Sequence, residues 1–250
     1  MAWFLLLRSM NYCTRTISTV LIVILGVLAT HPVASQVDTT AESPLSVEEL
    51  YLRAQVSVDT IRAQIDTGDR ELRLLAIRSL RDQLEQGLLD PTDETLYRAV
   101  EPVVNEGVFT INQSVKHSLS VYDPMVRREA IHVMGMLGTD QAQAKLVKVA
   151  YNEPDPVVRA QALWAISGIA TDADGQVSKT IGRIILRERA VATPVHQESM
   201  LAAVTALGAI AGDPANTFHP SALEALMMAA TDATFWQVVR EQAWRVIATL

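Results

Sequence analysis

Apolar residues recur along this chain in one helical pattern. Ala76, Ala130, Ala162, Ala203 and Ala243 each precede an aliphatic or aromatic residue (Ile77, Ile131, Leu163, Val204, Trp244), and three residues later comes another apolar one (Leu80, Met134, Ile166, Leu207, Ile247). That spacing places them on one face of an amphipathic helix, repeated five times. The two clearest copies open on the same phrase: Asp123-Pro124-Met125-Val126-Arg127-Arg128-Glu129-Ala130 and Asp155-Pro156-Val157-Val158-Arg159-Ala160-Gln161-Ala162. Asp can cap the free amides of the helix that follows, and Pro suits the first helical position, where no N–H is needed. The chain therefore repeats one supersecondary unit and reads as an array.

The remaining helices follow from the same signals. Ser46 with Glu49 forms a capping box at the start of a helix carrying Leu50, Ala54, Val58, Ile61 and Ile65, which Gly68 ends. The pattern predicts a helix from about Asp69 to Gln86. It then predicts the pairs Gln141 to Asn152 with Pro156 to Ile169, Val177 to Arg189 with Pro194 to Ala211, and Ser221 to Thr231 with Thr234 to Leu250, the last reaching the final residue. From Ala130 the anchors step by 32, 41 and 40 residues, but from Ala76 to Ala130 the step is 54. An insertion is expected around 95–122, where Pro102 interrupts the helical pattern and Val108 to His117 mixes helical and alternating character. A longer, kinked helix and a special binding loop are both open readings of it.

The phrase D-P-x-V-R-x-x-A with a tail such as Ala162-Leu163-Trp164-Ala165-Ile166-Ser167-Gly168 or Ala203-Val204-Thr205-Ala206-Leu207-Gly208 resembles the second helix of HEAT repeats. The resemblance implies an all-α fold, a right-handed α–α superhelix of about five helix pairs, each with a helix A and a helix B. It also implies an Asp/Arg ladder between neighbouring repeats, formed by Asp123, Asp155, Arg127 and Arg159, with Asp69 and Arg73 in the same positions of the first unit. In the fourth unit His196 and Met200 fall where Asp and Arg should be, so the ladder is expected to break there.

In this register the residue two after each anchor is Arg78, His132, Trp164, Thr205 or Arg245, and the residue before it is Leu75, Glu129, Gln161, Ala202 or Gln242. The two rows share a helix face, and its polar character says that the face meets water. Trp164 is then exposed and Trp244 is core. The resemblance places helices B on a concave surface, so Arg128, Glu129, His132, Gln161, Trp164, Thr205 and Arg245 are the candidate partner-binding residues, with Trp and Arg as anchors. Packing of Trp164 across the groove is the competing account.

The amino terminus reads as a targeting segment. Arg8 and Arg15 precede the apolar run Val20 to Ala29, and Val33-Ala34-Ser35 fits the small-residue rule for cleavage before Gln36. The run falls short of the roughly 20 apolar residues of a comfortable span. An uncleaved anchor is the alternative, and Met10 is an alternative start. The expected organisation is a signal peptide over 1–35, a flexible leader over 36–45, and a repeat domain over 46–250. Export, as to a periplasm, follows from that reading. Cleavage would remove two arginines and no acid, taking the formal charge from -7 to -9.

Composition narrows the function. A 49% hydrophobic chain of 250 residues can bury a long core. The sole cysteine, Cys13, excludes an intramolecular disulfide. No nucleophile-elbow, zincin or phosphate-loop motif occurs, and His117, His132, His196 and His219 lack metal-ligand spacing. Asp172-Ala173-Asp174-Gly175 resembles a calcium loop but lacks an acid at Ala170 and a Glu at Ile181, and helix capping accounts for its aspartates better. The acidic balance opposes nucleic-acid binding. The reading is a non-catalytic scaffold without cofactor or metal that binds another protein. Membrane contact is expected only through an uncleaved signal segment. Two alternatives stand beside it: a structural subunit that docks or self-associates through its carboxyl-terminal repeat, where Trp236, Val239, Ala243, Val246 and Ile247 would expose apolar surface, and a HEAT-like enzyme such as a lyase.

Overall fold

The computed structural model describes residues 58–67, 69–106, 123–189 and 193–250. The signal segment, the leader, the capping box at Ser46 and the 107–122 part of the expected insertion lie outside them. The described residues contain ten helical segments and no strand: α1 (58–66), α2 (Arg70–Glu85), α3 (Glu94–Asn105), α4 (Pro124–Leu137), α5 (Asp140–Asn152), α6 (Pro156–Ile169), α7 (Gln176–Glu188), α8 (Pro194–Ala211), α9 (Pro220–Thr231) and α10 (Gln237–Ile247). Each even-numbered helix from α4 onward packs against the odd-numbered helix before it, giving helix A and helix B of one repeat. The B helices α2, α4, α6, α8 and α10 stack in one row, and the A helices α3, α5, α7 and α9 in a second. The architecture is an all-helical solenoid.

Local chemistry sets the helix starts. The side chain of Asp69 accepts the Leu72 amide at 2.9 Å, Asp123 accepts those of Met125 and Val126 at 2.8 and 3.2 Å, and Asp155 takes Val157 at 2.8 Å. These bonds satisfy amides that have no partner within the helix. Pro124, Pro156, Pro194 and Pro220 open their helices, where the missing N–H costs nothing. Pro102 departs from its expected role. It stands inside α3, which continues to Asn105 rather than being interrupted there.

Between the two rows runs one apolar core. Ala76, Ile77, Leu80, Ala130, Ile131, Met134, Ala162, Leu163 and Ile166 are wholly buried, as the anchor pattern requires. The carboxyl-terminal unit corrects three expectations. Helix α10 ends at Ile247, short of the last residue. Val239, Ala243 and Val246 are buried rather than exposed. Trp244 is 54% exposed rather than core, because α10 has a single B-row neighbour, α8, and nothing among the described residues stacks on its other side.

The fourth repeat is in a different register from the expected one. Thr193 is the N-cap residue of α8, so Gln197 holds the place of Arg127 and Arg159, and Met200, one turn before Ala203, holds that of the anchor. Ala202 is accordingly buried, as is Ser199, whereas the expected register puts Ala202 on a face open to water.

Glycines set the spacing within the B row. A Cβ on Gly135 would lie 2.7 Å from the Cβ of Ala165, so α4 and α6 approach here as only a glycine allows. A Cβ on Gly208 would likewise lie 2.7 Å from a methyl of Val246 on α10. A Cβ on Gly168 would meet nothing within 4 Å. Ala170 ends α6 at φ 53°, a left-handed conformation that Gly138 adopts at φ 63° at the end of α4.

These observations predict opposite outcomes for like substitutions. Gly135→Ala should lower stability by about 1–3 kcal/mol through overpacking. Gly168→Ala should raise it by roughly 0.5–1 kcal/mol, because alanine loses less entropy in a helix. Ala170→Gly should stabilise to a similar extent, about 0.5–1 kcal/mol, by relieving the left-handed cap. Urea melts of the three variants would test this, and equal effects for Gly135 and Gly168 would refute the close approach.

Candidate functional site

The expected ladder exists in altered form. Arg73, Arg127 and Arg159 do join neighbouring repeats, but their partners are glutamates, not the aspartates. Arg73 pairs with Glu106, Arg127 with Glu153, and Arg159 with Glu188 at 2.6 Å. Each glutamate ends the helix A of the next repeat: Glu106 and Glu153 are the residues closing α3 and α5, and Glu188 is the last of α7. Each arginine thus leaves its own B helix near the start and reaches the carboxyl end of a helix whose dipole favours positive charge. Arg127 also donates to the Val104 carbonyl at 3.4 Å, and Arg159 to that of Glu153 at 3.1 Å, so each arginine holds the end of its own helix A as well.

The three aspartates do a different job, since their oxygens face the amides of their own helices. Asp123 alone adds a link between repeats, accepting from Arg70 of α2. The Arg70 hydrogen bond and the two amides hold its carboxyl below the usual range although burial pushes it the other way. Burial wins at Glu106, whose carboxyl is raised despite the pull of Arg73. At Arg159 burial pulls the guanidinium down and Glu188 opposes it.

At the fourth joint the arginine is absent and Gln197 does the bridging. It is buried, donates to the Thr234 carbonyl at 3.2 Å and accepts the Trp236 amide at 2.9 Å. In the last repeat Arg240 regains the ladder position but turns to carbonyls of its own loop, at 3.2 Å from that of Phe235.

Other polar clusters are structural too. Asp172 is buried and accepts the amides of Val177 and Ser178 at 3.0 and 2.8 Å, while Asp174 takes that of Gln176. Asn216 ties this loop to the next by donating to the carbonyls of Ala170 and Ile210. Lys145 of α5 pairs with Glu101 of α3 at 2.6 Å, and burial together with that carboxylate pushes the Tyr97 hydroxyl up to about 12. Among the described residues no group of three or more His, Cys, Asp or Glu side chains is placed to hold a metal ion, and no helix is long and apolar enough to cross a membrane.

Five of the seven candidate partner-binding residues come together on the B row. Arg128, Glu129, His132 and Gln161 line a cleft of about 320 Å³ with Arg78, Arg81 and Met125. His132 and Gln161 also line a second cleft of about 630 Å³ with Trp164, Gly135, Met136, Gly138, Ala165 and Gly168. Sharing those two residues makes the clefts one groove across α2, α4 and α6. The Gln161 amide stands 3.4 Å from His132 Nδ1, which bridges α6 to α4 at the junction. Trp164 is half-buried and packs against the core, so the expectation of an exposed indole is only partly met. Arg245 and Thr205 line neither cleft. Arg245 lies exposed on α10 near Glu241, and the Thr205 hydroxyl donates to the Leu201 carbonyl within α8.

The groove contains residues that the sequence reading passed over. Arg81 lies one turn beyond Arg78 on the same face, and the two guanidinium groups reach Glu129 at 3.0 and 3.3 Å. Extending the polar row by a turn would have found it. Gly135 and Gly168 give no such signal, because their contribution is the space that a missing side chain leaves.

A family model described as HEAT repeats matches residues 58–167, which runs from α1 through most of α6 and takes in every residue lining the groove except Gly168. Paired helices stacked in two rows define the class, an all-helical solenoid, and the matched part of the chain is similar to HEAT repeats. No curated protein matches the chain.

The ladder predicts non-additive energetics. Arg127→Met strands a carboxylate in a site with no solvent access and should cost about 3–5 kcal/mol. Arg127→Met with Glu153→Met should cost less than the single change, because no buried charge is left. Arg98→Ala, which breaks the exposed pair with Glu94, should cost under about 1 kcal/mol. Denaturant melts of the set would check this, and strictly additive losses would refute coupling.

Proposed function

We propose that this protein is a non-catalytic scaffold that binds another protein in the groove along α2, α4 and α6. HEAT repeats commonly serve as protein-interaction scaffolds, and the match takes in all of the groove lining but Gly168. One observation carries the reading: the two clefts share His132 and Gln161, so three successive B helices offer one continuous surface. Such a surface lets several modest contacts add up, and the buried joints beneath it keep their spacing fixed. Arg128 is exposed at one end and Trp164 offers an amphipathic ring at the other, the residue types that dominate interface energetics. The proposal includes export, on the strength of the amino-terminal segment alone.

A second reading rests on α10. Trp236, Val238 and Trp244 are each about half exposed there, at 49, 48 and 54%. A patch of that kind suits docking to another subunit.

Crosslinking from the native envelope would test the first reading, with wild type beside Arg128→Ala and Trp164→Ala. Both variants should lose the captured protein. Arg128→Ala should leave stability within about 0.5 kcal/mol, as surface changes do, while Trp164→Ala should cost about 1–2 kcal/mol because its ring is half-buried. Capture unchanged in both variants and lost on Trp244→Ala would transfer the site to α10.

A further inference from the structure

We infer that the groove takes an acidic, extended peptide segment of its partner, with carboxylates over Arg78, Arg81 and Arg128 and an apolar side chain beside Trp164. This deepens the scaffold reading and rests on it. The groove differs from the rest of the molecule in charge. The chain carries a formal charge of -7, yet the first cleft is lined by three arginines and a histidine against one carboxylate, Glu129.

The arginines are not equivalent. Arg81 is satisfied by Glu129 at 3.0 Å and Asp82 at 2.9 Å, with Glu85 at 3.6 Å, so it orients the floor rather than waiting for a ligand. Arg78 makes a single contact of 3.3 Å to Glu129, and its side chain is 46% exposed. Arg128 stands exposed, and no carboxylate of the described residues forms an ion pair with it. Two guanidinium groups on α2 and α4 thus keep donors directed at the groove, and a guanidinium matches a carboxylate with two parallel hydrogen bonds.

The other end of the groove changes character. Met136, Ala165 and Trp164 are partly buried, and Gly168 leaves open space where a side chain would stand. That floor suits an aliphatic or aromatic side chain. A segment long enough to touch both ends crosses three helices, which an extended strand does without folding. A neutral ligand would leave Arg128 without a partner, and a basic one would meet repulsion from it.

Selection from a phage-displayed random peptide library on the immobilised protein tests the inference. Enriched sequences should carry Asp or Glu next to an aliphatic or aromatic residue. A synthetic peptide of the enriched sequence, read by fluorescence polarisation, should bind Arg78→Gln/Arg128→Glu roughly tenfold or more weakly, the order expected for losing charge-assisted hydrogen bonds. Its affinity should fall as salt rises. Gly168→Met, which fills the apolar end, should weaken it while the circular dichroism spectrum stays that of the wild type. Enrichment of neutral or basic peptides that compete at the groove would overturn the charge assignment and leave the scaffold standing. Peptides indifferent to all three substitutions, or no enrichment at all, would overturn both.

Discussion

At three of its four joints the stack depends on a guanidinium placed where two helix ends meet. The carbonyls at the end of each helix A have no partner within the helix. Arg127 and Arg159 reach these carbonyls in their own repeat and a carboxylate closing helix A of the next. A buried ion pair is a weak source of net stability because desolvation offsets most of its attraction. Its value here is geometric. A shift of one repeat against the next by even one residue would leave a charge buried without its partner, so the pairs fix the register that apolar contacts alone would leave loose.

That register determines what the B row shows to the outside. Fixing α4 against α6 lets Gly135 bring their backbones together over Ala165, and the same approach sets His132 beside Gln161 at the centre of the groove. The polar row is therefore a by-product of the core. Its residues are spaced by helix packing, and their chemistry is free to vary without disturbing what lies beneath. Glu129 illustrates the point, since it is held by Arg78 and Arg81 from the preceding repeat and not by any residue of the core.

Much of this was legible in the amino-acid sequence. Helix starts were, because Asp-Pro followed by an apolar period leaves few other conformations, and the bounds of α6 and α8 agree with those expected. The anchors Ala130 and Ala162 were legible for the same reason. The partners of the arginines were not. Glu106, Glu153 and Glu188 lie on another repeat and have no fixed spacing from Arg73, Arg127 and Arg159, whereas the aspartates stand four residues before them and invite the wrong pairing. The fourth repeat misled because Ala203 and Met200 are both apolar on one helix face, and only Gln197, bonded to the turn after α9, fixes which is the anchor. Trp244 misled because a periodic pattern states which face is apolar but not whether a neighbour arrives to cover it.

In a stack of this kind each repeat touches only the ones beside it, so its repeats respond to stress one joint at a time. The groove crosses two of those joints. Whatever lies in it holds α2 and α6 together, two helices that do not stack directly on one another, and so introduces a tie between second neighbours. Occupancy would then be felt as stiffness: the first three repeats would open as one unit rather than in turn, and slow amide exchange in α4, the helix in the middle, would record that the groove is filled.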